Sequence, residues 1–292
     1  MAQGGIGNQS PASLFQARLD TTDGVSNTLT LRQYAGNKVV VSGITVPIPN
    51  AGMSRNVADN LIDAAGADSG APGAANTLYY VYISNQKASF SPSSIRLSST
   101  APSLVNGVKY LGSTGNALNW RFVGWVRLNA TPNFEFSDVY AGIVNYYNRL
   151  LVRLFTCPGF VNDGSSRDWA PPSPNVWTAF NNGVGNLLRF ISNGEDAITL
   201  LMSADGVGGG TNAFSGIGID GTKNVEAAAD ITNQQINGYN CPTYQSILFT
   251  EGVHTAEMSG ATDGGTTFHL FSPVLDSTTS VFRSYLYANL MV

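Results

Sequence analysis

Thr77-Leu-Tyr-Tyr-Val-Tyr-Ile83 is the stretch that decides the fold. Each of its residues is aromatic, β-branched or leucine, and such side chains fit the pleated, half-buried surface of a sheet. Shorter runs of the same kind lie on both sides of it, separated by Gly, Pro, Asn, Asp and Ser. Residues 28–32 show the cleanest case, because apolar and polar side chains alternate there as in a half-buried strand. The pattern predicts an all-β chain.

The first half of the sequence therefore reads as a series of short strands. Ser42-Gly43 separates two of them and is typical of a hairpin turn. Residues 56–63 are compatible with one or two helical turns, and residues 64–75 are rich in Ala and Gly and are predicted to form a loop. The strands are predicted at residues 28–32, 38–41, 44–48, 77–83, 95–97, 120–128 and 134–136.

The second half continues the same pattern, and Asp263-Gly264-Gly265 is a further hairpin signal. About seven or eight strands within residues 154–292 are typical of a sandwich of the jelly-roll kind. They are predicted at residues 176–180, 186–191, 197–203, 214–220, 246–258, 266–271 and 281–291.

The domain organisation follows from these patterns. Residues 1–27 are predicted to be an N-terminal arm, and residues 28–140 an N-terminal β domain. Residues 154–292 are predicted to be a C-terminal jelly-roll-like β-sandwich. Residues 141–153 fit both helical spacing and strand alternation, and we interpret them as a linker that runs into a strand.

Composition favours a protein that associates with other chains. Charged residues make up 12% of the sequence, against about 25% in a typical domain. Little charge must be desolvated when such surfaces meet, so their burial in an interface costs little. The net charge of −4 argues against a nucleic-acid partner. No apolar run approaches the roughly 20 residues of a membrane span, and the first ten residues lack signal-peptide features, so synthesis in a cytoplasm is expected.

Catalytic and cofactor patterns are weak. Gly216-Ile-Gly218-Ile-Asp-Gly221 matches the dinucleotide pattern, but a predicted strand runs through it where a helix should begin. The glycines therefore indicate close sheet packing or a bulge. The only two histidines, His254 and His269, lack a nucleophile elbow and make a poor zinc site by themselves. We predict no catalytic residue, no cofactor and no metal ligand, with both histidines structural.

Several polar and aromatic positions leave alternatives open. Cys157 and Cys241 are interpreted as buried thiols, with a single disulfide as the alternative. Residues 162–168 form a polar loop whose oxygens suit Ca²⁺ only as a less favoured interpretation. Trp169 and Trp177 are the candidate contacts to a partner chain or a glycan. The aromatic side chains of the predicted strands are assigned to the core, with an outward-facing carbohydrate groove as the alternative.

Seven runs of the sequence resemble strands of tailed-bacteriophage virion structural proteins. They are Asn76-Thr-Leu-Tyr-Tyr-Val-Tyr-Ile-Ser84, Leu97-Ser-Ser-Thr-Ala-Pro102, Gly107-Val-Lys-Tyr110, Arg121-Phe-Val-Gly-Trp125, Val144-Asn-Tyr-Tyr-Asn-Arg149, Phe214-Ser-Gly-Ile-Gly-Ile-Asp220 and Gly252-Val-His-Thr-Ala-Glu257. The runs are β-strand signatures and contain no catalytic motif.

The resemblance implies a homotrimer on the virion surface, made in the cytoplasm of a bacterial host. It implies two alternative positions. A capsid decoration protein, also called a cement protein or head fibre, would bind the major capsid protein and stabilise the assembled shell. A tail fibre would instead bind host-surface glycan. The absence of a repetitive or coiled-coil shaft in the sequence favours decoration, and an enzyme such as a polysaccharide depolymerase is the third alternative.

Overall fold

A computed structural model describes most of the chain. The described residues are 14–85, 95–156, 168–169, 176–180, 186–208, 213–223, 229–231, 239–262, 268–270, 274–276, 279–281 and 285–292. The chain divides into two compact units. The N-terminal unit comprises Met1–Phe136, Ala141–Leu150 and Val292, and the C-terminal unit comprises Ser137–Tyr140 and Leu151–Met291.

The described residues before residue 146 form short strands and one 3₁₀-helix over Gly115–Asn119. The strands are β1 (Ala17–Leu19), β2 (Gly24–Ser26), β3 (Thr28–Gln33), β4 (Lys38–Val41), β5 (Ile44–Pro47), β6 (Met53–Asn56), β7 (Leu78–Ser84), β8 (Ile95–Ser98), β9 (Ser103–Val105), β10 (Val108–Tyr110), β11 (Trp120–Arg127), β12 (Phe134–Ser137), β13 (Tyr140–Ala141) and β14 (Ile143–Asn145).

The described residues from 151 onward form a second series of strands. They are β15 (Leu151–Thr156), β16 (Asp168–Trp169), β17 (Thr178–Ala179), β18 (Leu187–Ser192), β19 (Ile198–Gly208), β20 (Ala213–Ile219), β21 (Thr222–Lys223), β22 (Ala229–Ile231), β23 (Tyr239–Ile247), β24 (Gly252–Thr262), β25 (Phe268–Leu270), β26 (Val274–Asp276), β27 (Thr279–Val281) and β28 (Tyr285–Met291).

Two antiparallel sheets build the N-terminal unit. One has the order β1-β3-β6, and the other has the order β8-β7-β11-β10-β9 with β14 also paired to β11. The hairpin β4–β5 and the pair β2–β12 complete it. Alternation places Leu19, Leu31 and Val81 inside, together with the fully buried Trp120 and Trp125. Residues 77–83 thus form most of β7, which pairs with β11, the central strand of the larger sheet.

A glycine allows β14 to approach β11 closely. A Cβ built on Gly124 would overlap the carbonyl oxygen of Val144 and lie 3.1 Å from the Cα of Asn145. The register of β11 with β7 also shifts between Phe122 and Gly124, as in a β-bulge. Only a residue without a side chain fits there, so β14 depends on Gly124 for its place in the sheet.

The C-terminal unit contains two antiparallel sheets of several strands each. In one, β18, β24, β20 and β21 are neighbours in that order, with β17 on β24 and β22 on β20. In the other, the order is β15-β28-β19-β25-β16, with β23 also paired to β19. Every second side chain of β28 is buried, as expected when a sheet covers a core with one face. The unit is sandwich-like.

The prediction of an all-β chain is confirmed, and the jelly-roll connectivity stays a prediction. The described residues contain no α-helix. The Ser42-Gly43 hairpin is also confirmed, because Val41 pairs with Ile44 and both turn residues have positive φ, 47° and 79°. The hairpin predicted at residues 263–265 lies outside the described residues.

Four local predictions differ from the structure. Residues 56–63 form turns rather than a helix, because side-chain oxygens of Asn56 and Asp59 bond nearby backbone N–H groups. The strand predicted at 246–258 is interrupted after Ile247, and β24 starts only at Gly252. Residues 141–153 contain buried strand β14 and the start of β15. Residues 14–26, predicted as arm, include β1 and β2.

Among the described residues, no helix has the length and apolarity that crossing a membrane requires.

Candidate functional site

The outer face of the sheet β1-β3-β6 carries polar and charged side chains beside two cavities of the N-terminal unit. Strand alternation turns the leucines of β1 and β3 inward and leaves Arg18, Asp20, Thr30 and Arg32 on the opposite face. Arg18 and Arg32 are direct cross-strand partners. The register therefore places two guanidinium groups side by side on one face.

Asp20 is the centre of a compact hydrogen-bond network. Its Oδ2 accepts from Nε of Arg32 at 2.5 Å, and its Oδ1 accepts from the backbone N and the hydroxyl of Thr22 at 3.1 and 2.6 Å. Burial alone would raise the pKa of the Asp20 carboxyl, but the hydrogen bonds from Thr22 and Arg32 outweigh it, and the pKa is lowered. The carboxylate stays ionised, and both of its oxygens are engaged.

Arg18 is only partly satisfied. One of its Nη atoms donates to Oγ1 of Thr21 at 3.1 Å, and its guanidinium lies 5.8 Å from the ring centroid of Tyr34. Burial lowers the pKa of Arg18, and electrostatic interactions with Tyr34 and then Asp20 partly offset this. The Nε atom of Arg18 is buried and has no hydrogen-bond partner. A buried donor without an acceptor is uncommon and calls for an explanation.

Two cavities of about 310 Å³ each open beside this network. Both are bordered by Asp20, Thr22 and Arg32. The first continues over Asp23, Ser26, Thr28 and Thr30 to an apolar floor that includes Phe134 and Phe136. The second is bordered in addition by Arg18, Leu19, Thr21 and Gln33. We refer to this second cavity as the arginine pocket.

Side chains from distant parts of the sequence hold β1 in place and so shape the arginine pocket. Oδ1 of the buried Asn145 accepts from the backbone N of Leu19 at 2.6 Å, and its Nδ2 donates to the carbonyl oxygen of Leu19 at 3.3 Å. Nδ2 of Asn148 donates to the carbonyl oxygens of Phe15 and Ala17 at 3.0 and 2.9 Å. The outer edge of β1 is thus bonded by amide side chains.

The buried Arg121 binds the backbone of Leu14, which precedes the bonded edge of β1. Arg121 is fully buried, and its Nη1 donates to the carbonyl oxygens of Leu14 and Val40 at 3.0 and 2.6 Å. Its guanidinium lies 4.7 Å from the ring centroid of Tyr147, which in turn stacks on Phe15 at 4.3 Å. Burial raises the pKa of the Tyr147 hydroxyl despite the nearby Arg121. Residues 14–19 are therefore integral to the N-terminal unit.

Exposed apolar side chains mark the outer strands of several sheets. Val25 on β2, Ile44 on β5, Leu104 on β9 and Leu151 on β15 are 60%, 54%, 67% and 70% exposed. Within the described part of the chain, each of these four strands has a paired neighbour on one side only. The strands β2, β5 and β9 contain no charged residue. We call these four strands the open edges.

His254 occupies a satisfied position in the C-terminal unit. Its Nδ1 lies 2.7 Å from Oδ2 of Asp220, and its Nε2 lies 2.9 Å from the carbonyl oxygen of Thr250. The ring of Phe249 lies 4.8 Å away. Both ring nitrogens therefore face oxygen atoms of the protein. His269 lies on β25, which pairs with β16 and β19 and not with β24; its side chain is outside the described set.

The glycine motif at residues 216–221 forms a hairpin. Strand β20 runs through its first part, and Asp220 and Gly221 turn the chain with φ of 50° and 74° into β21. A strand followed by a hairpin offers no helix N-terminus to a pyrophosphate. Among the described side chains, no group of three or more His, Cys, Asp or Glu is placed to hold a metal ion.

The two candidate tryptophans are separated in the C-terminal unit. Trp169 is on β16, where its backbone pairs with Phe268, and its side chain is outside the described set. Trp177 is half-buried just before β17. The structure does not bring them into one described site. Cys157 and the loop at residues 162–167 lie outside the described residues, and only the backbone of Cys241 is described.

The aromatic side chains of β7 and β11 are mostly core. Tyr79, Tyr82, Trp120 and Trp125 are buried, whereas Tyr80 is half-buried. The assignment of four of these five to the core is thus confirmed, and they cannot line an open carbohydrate groove.

Sequence reasoning missed Arg18, Asp20 and Arg32. Arg32 closes the alternating run 28–32, which predicted its outward direction but not its partner. Asp20 and Arg18 fell in the predicted arm, where no pattern indicated that they would lie opposite β3. Residues that meet only through strand pairing leave no local signal.

No family model matches the chain, and a search of curated proteins finds no match.

Proposed function

We propose that this protein is a non-enzymatic structural component of a tailed-phage virion, a capsid decoration protein that binds and stabilises the assembled shell. The open edges are the observation that carries the proposal. Each presents one large apolar side chain on a strand whose outer backbone groups pair with no other described strand. On β15, the backbone N–H of Phe155 donates to the carbonyl oxygen of Asp138 at 2.6 Å, so the open part of that edge is the part near Leu151. Natural proteins usually protect such edges with charged residues, and β2, β5 and β9 have none.

The shape of these edges favours specific association over uncontrolled aggregation. Strands β2 and β9 are three residues long, and Pro47 ends β5. Short strands and proline limit continuous strand addition. Such edges suit contacts of limited extent with identical copies, as in a homotrimer, and with a major capsid protein. Low overall charge keeps the desolvation cost of these contacts small.

Stabilisation of a shell would follow from mass action. A protein that binds only the assembled lattice lowers its free energy by RT ln(1 + [L]/Kd), which is about 2.7 kcal/mol per site at a hundredfold excess over Kd. This role requires no covalent bond to be made or broken. A high density of identical sites on a shell multiplies this term.

A receptor-binding tail fibre is the second candidate, and the two cavities beside Asp20 favour it. Hydroxyl, carboxylate and guanidinium groups line both cavities, and the first also has an apolar floor. Small-molecule sites generally combine apolar walls with a few polar groups. A fibre would use such a site on host-surface glycan.

Immunogold electron microscopy of phage particles tests the location. Antibodies raised against the whole chain are expected to label the head uniformly. Gold restricted to the tail tip would overturn decoration in favour of the fibre. Unlabelled particles that contain no copy of the chain by mass spectrometry would overturn both.

A further inference from the structure

We propose that the arginine pocket binds a small monocarboxylate, such as an acidic sugar, between the guanidinium groups of Arg18 and Arg32. The proposal concerns the isolated protein and holds wherever the protein is located on a particle. Ligand titration tests it, whereas particle labelling tests the location.

The first argument is the placement of the two arginines. Arg18 and Arg32 face each other across β1 and β3 and border the same cavity of about 310 Å³. Like charges directly opposite each other in a sheet destabilise it. An anion bound between the two guanidinium groups would remove that repulsion. The facing pair of arginines is therefore consistent with an anion-binding site.

The second argument is the set of unused donors. The Nε atom of Arg18 is buried without a partner. Arg32 uses its Nε on Asp20, and no described residue accepts a hydrogen bond from its two Nη groups. The hydroxyl of Thr21 accepts from Arg18 and keeps its own proton to donate. These groups are donors, so the missing partner is an acceptor.

The third argument is charge. Among the described residues, Asp20 is the one carboxylate that borders the arginine pocket, and with the two arginines it gives a net charge of about +1. The hydrogen bonds of Asp20 come from Thr22 and Arg32, and Nε of Arg18 has no hydrogen-bond partner. A monoanion neutralises the site, whereas a dianion would leave excess negative charge close to Asp23 in the adjoining cavity. A planar carboxylate also matches the fork of a guanidinium.

The fourth argument is size. Ligand sites usually have volumes of about 300–1,000 Å³, and the arginine pocket is at the lower limit of that range. It suits a single sugar ring or a comparable organic acid. Because Arg32 is 57% exposed at its side chain, the ligand can enter from solvent.

Ligand-observed NMR titration of the full chain with sodium glucuronate tests the proposal, with glucose as the uncharged match. We expect saturable binding of glucuronate, no binding of glucose, and weaker binding at higher salt. Arg32→Gln is expected to weaken binding at least tenfold. Arg153→Gln, which changes an exposed arginine of the C-terminal unit, is the matched control and is expected to bind as the wild type does.

Arg18→Lys retains the charge but removes the Nε donor, and it is expected to weaken glucuronate binding while leaving the circular dichroism spectrum unchanged. For the wild type alone, hydrogen exchange of peptides over residues 18–33 is expected to slow when glucuronate is added. Absence of saturable binding, equal binding of glucose, or undiminished binding by Arg32→Gln would overturn the site. Tighter binding of sulfate or phosphate than of glucuronate would overturn the assignment of a carboxylate.

Discussion

Replacement of Asn145 by alanine tests how β1 is held in the N-terminal unit. Leu19 is fully buried, and its backbone N–H and carbonyl bond only the Asn145 amide on the side away from β3, at 2.6 and 3.3 Å. Each buried backbone group left without a partner costs about 1–3 kcal/mol. The second bond is long and therefore weaker, so we expect Asn145→Ala to lower the free energy of unfolding by about 2–4 kcal/mol.

Urea unfolding followed by tryptophan fluorescence measures this loss, because Trp120 and Trp125 are fully buried in the same unit. Hydrogen exchange of peptides over residues 14–22 assigns the loss to β1. Asn50→Ala is the matched control, since Asn50 is exposed and accepts one hydrogen bond from Gln33; it is expected to change stability by less than about 0.5 kcal/mol. A folded Asn145→Ala with wild-type stability and unchanged exchange at residues 14–22 would refute the reasoning.

Three further predictions concern other parts of the structure. Gly124→Ala should destabilise the N-terminal unit by about 1–3 kcal/mol or more through the overlap with Val144, measured by urea unfolding; an unchanged midpoint would contradict the close approach of β14. The folded pKa of Asp20 is below its ordinary value of 3.8, so its stabilising contribution is present above pH 3.8 and is lost as the pH falls through the folded pKa. Asp20→Asn should therefore show a smaller loss of stability below about pH 4 than the wild type, and parallel acid-unfolding curves would count against the network. Leu104→Lys and Leu151→Lys should weaken self-association in analytical ultracentrifugation without lowering the unfolding midpoint, and an unaltered oligomer distribution would argue against the open edges.

The strands were predictable from sequence where their signal is local. Aromatic and β-branched content located β7, and alternation located β3, with bounds within one or two residues. Both signals arise from a side chain's preference for a half-buried pleated surface, which does not depend on the partner strand.

Predictions failed where local hydrogen bonding or distant pairing decides the structure. Residues 56–63 are compatible with one or two helical turns, but Asn56 and Asp59 bond the neighbouring backbone and turn the chain instead. The segment before residue 28 has a polar composition and was predicted as an arm. Its place in the unit depends on Arg121, Asn145 and Asn148, whose role no local pattern indicates.

Separation along the sequence also explains why the arginine pocket could not be predicted. Arg18 and Arg32 are fourteen positions apart, and only the register of β1 with β3 makes them neighbours. The lack of a hydrogen-bond partner for Nε of Arg18 results from the packing of the folded chain. Sequence composition does not indicate it.

The bonding of β1 has a consequence for the order in which the chain can fold during synthesis. Asn145 lies 126 residues after Leu19, and Asn148 lies 133 residues after Phe15. At roughly 5–20 residues per second, a ribosome needs about 6–25 s to reach Asn145 after Leu19 has been made. During that interval the outer edge of the first strand has no native partner in its own nascent chain. Strand β1 thus becomes fully bonded only after the chain has been translated as far as Asn148, a high-contact-order step that slows folding.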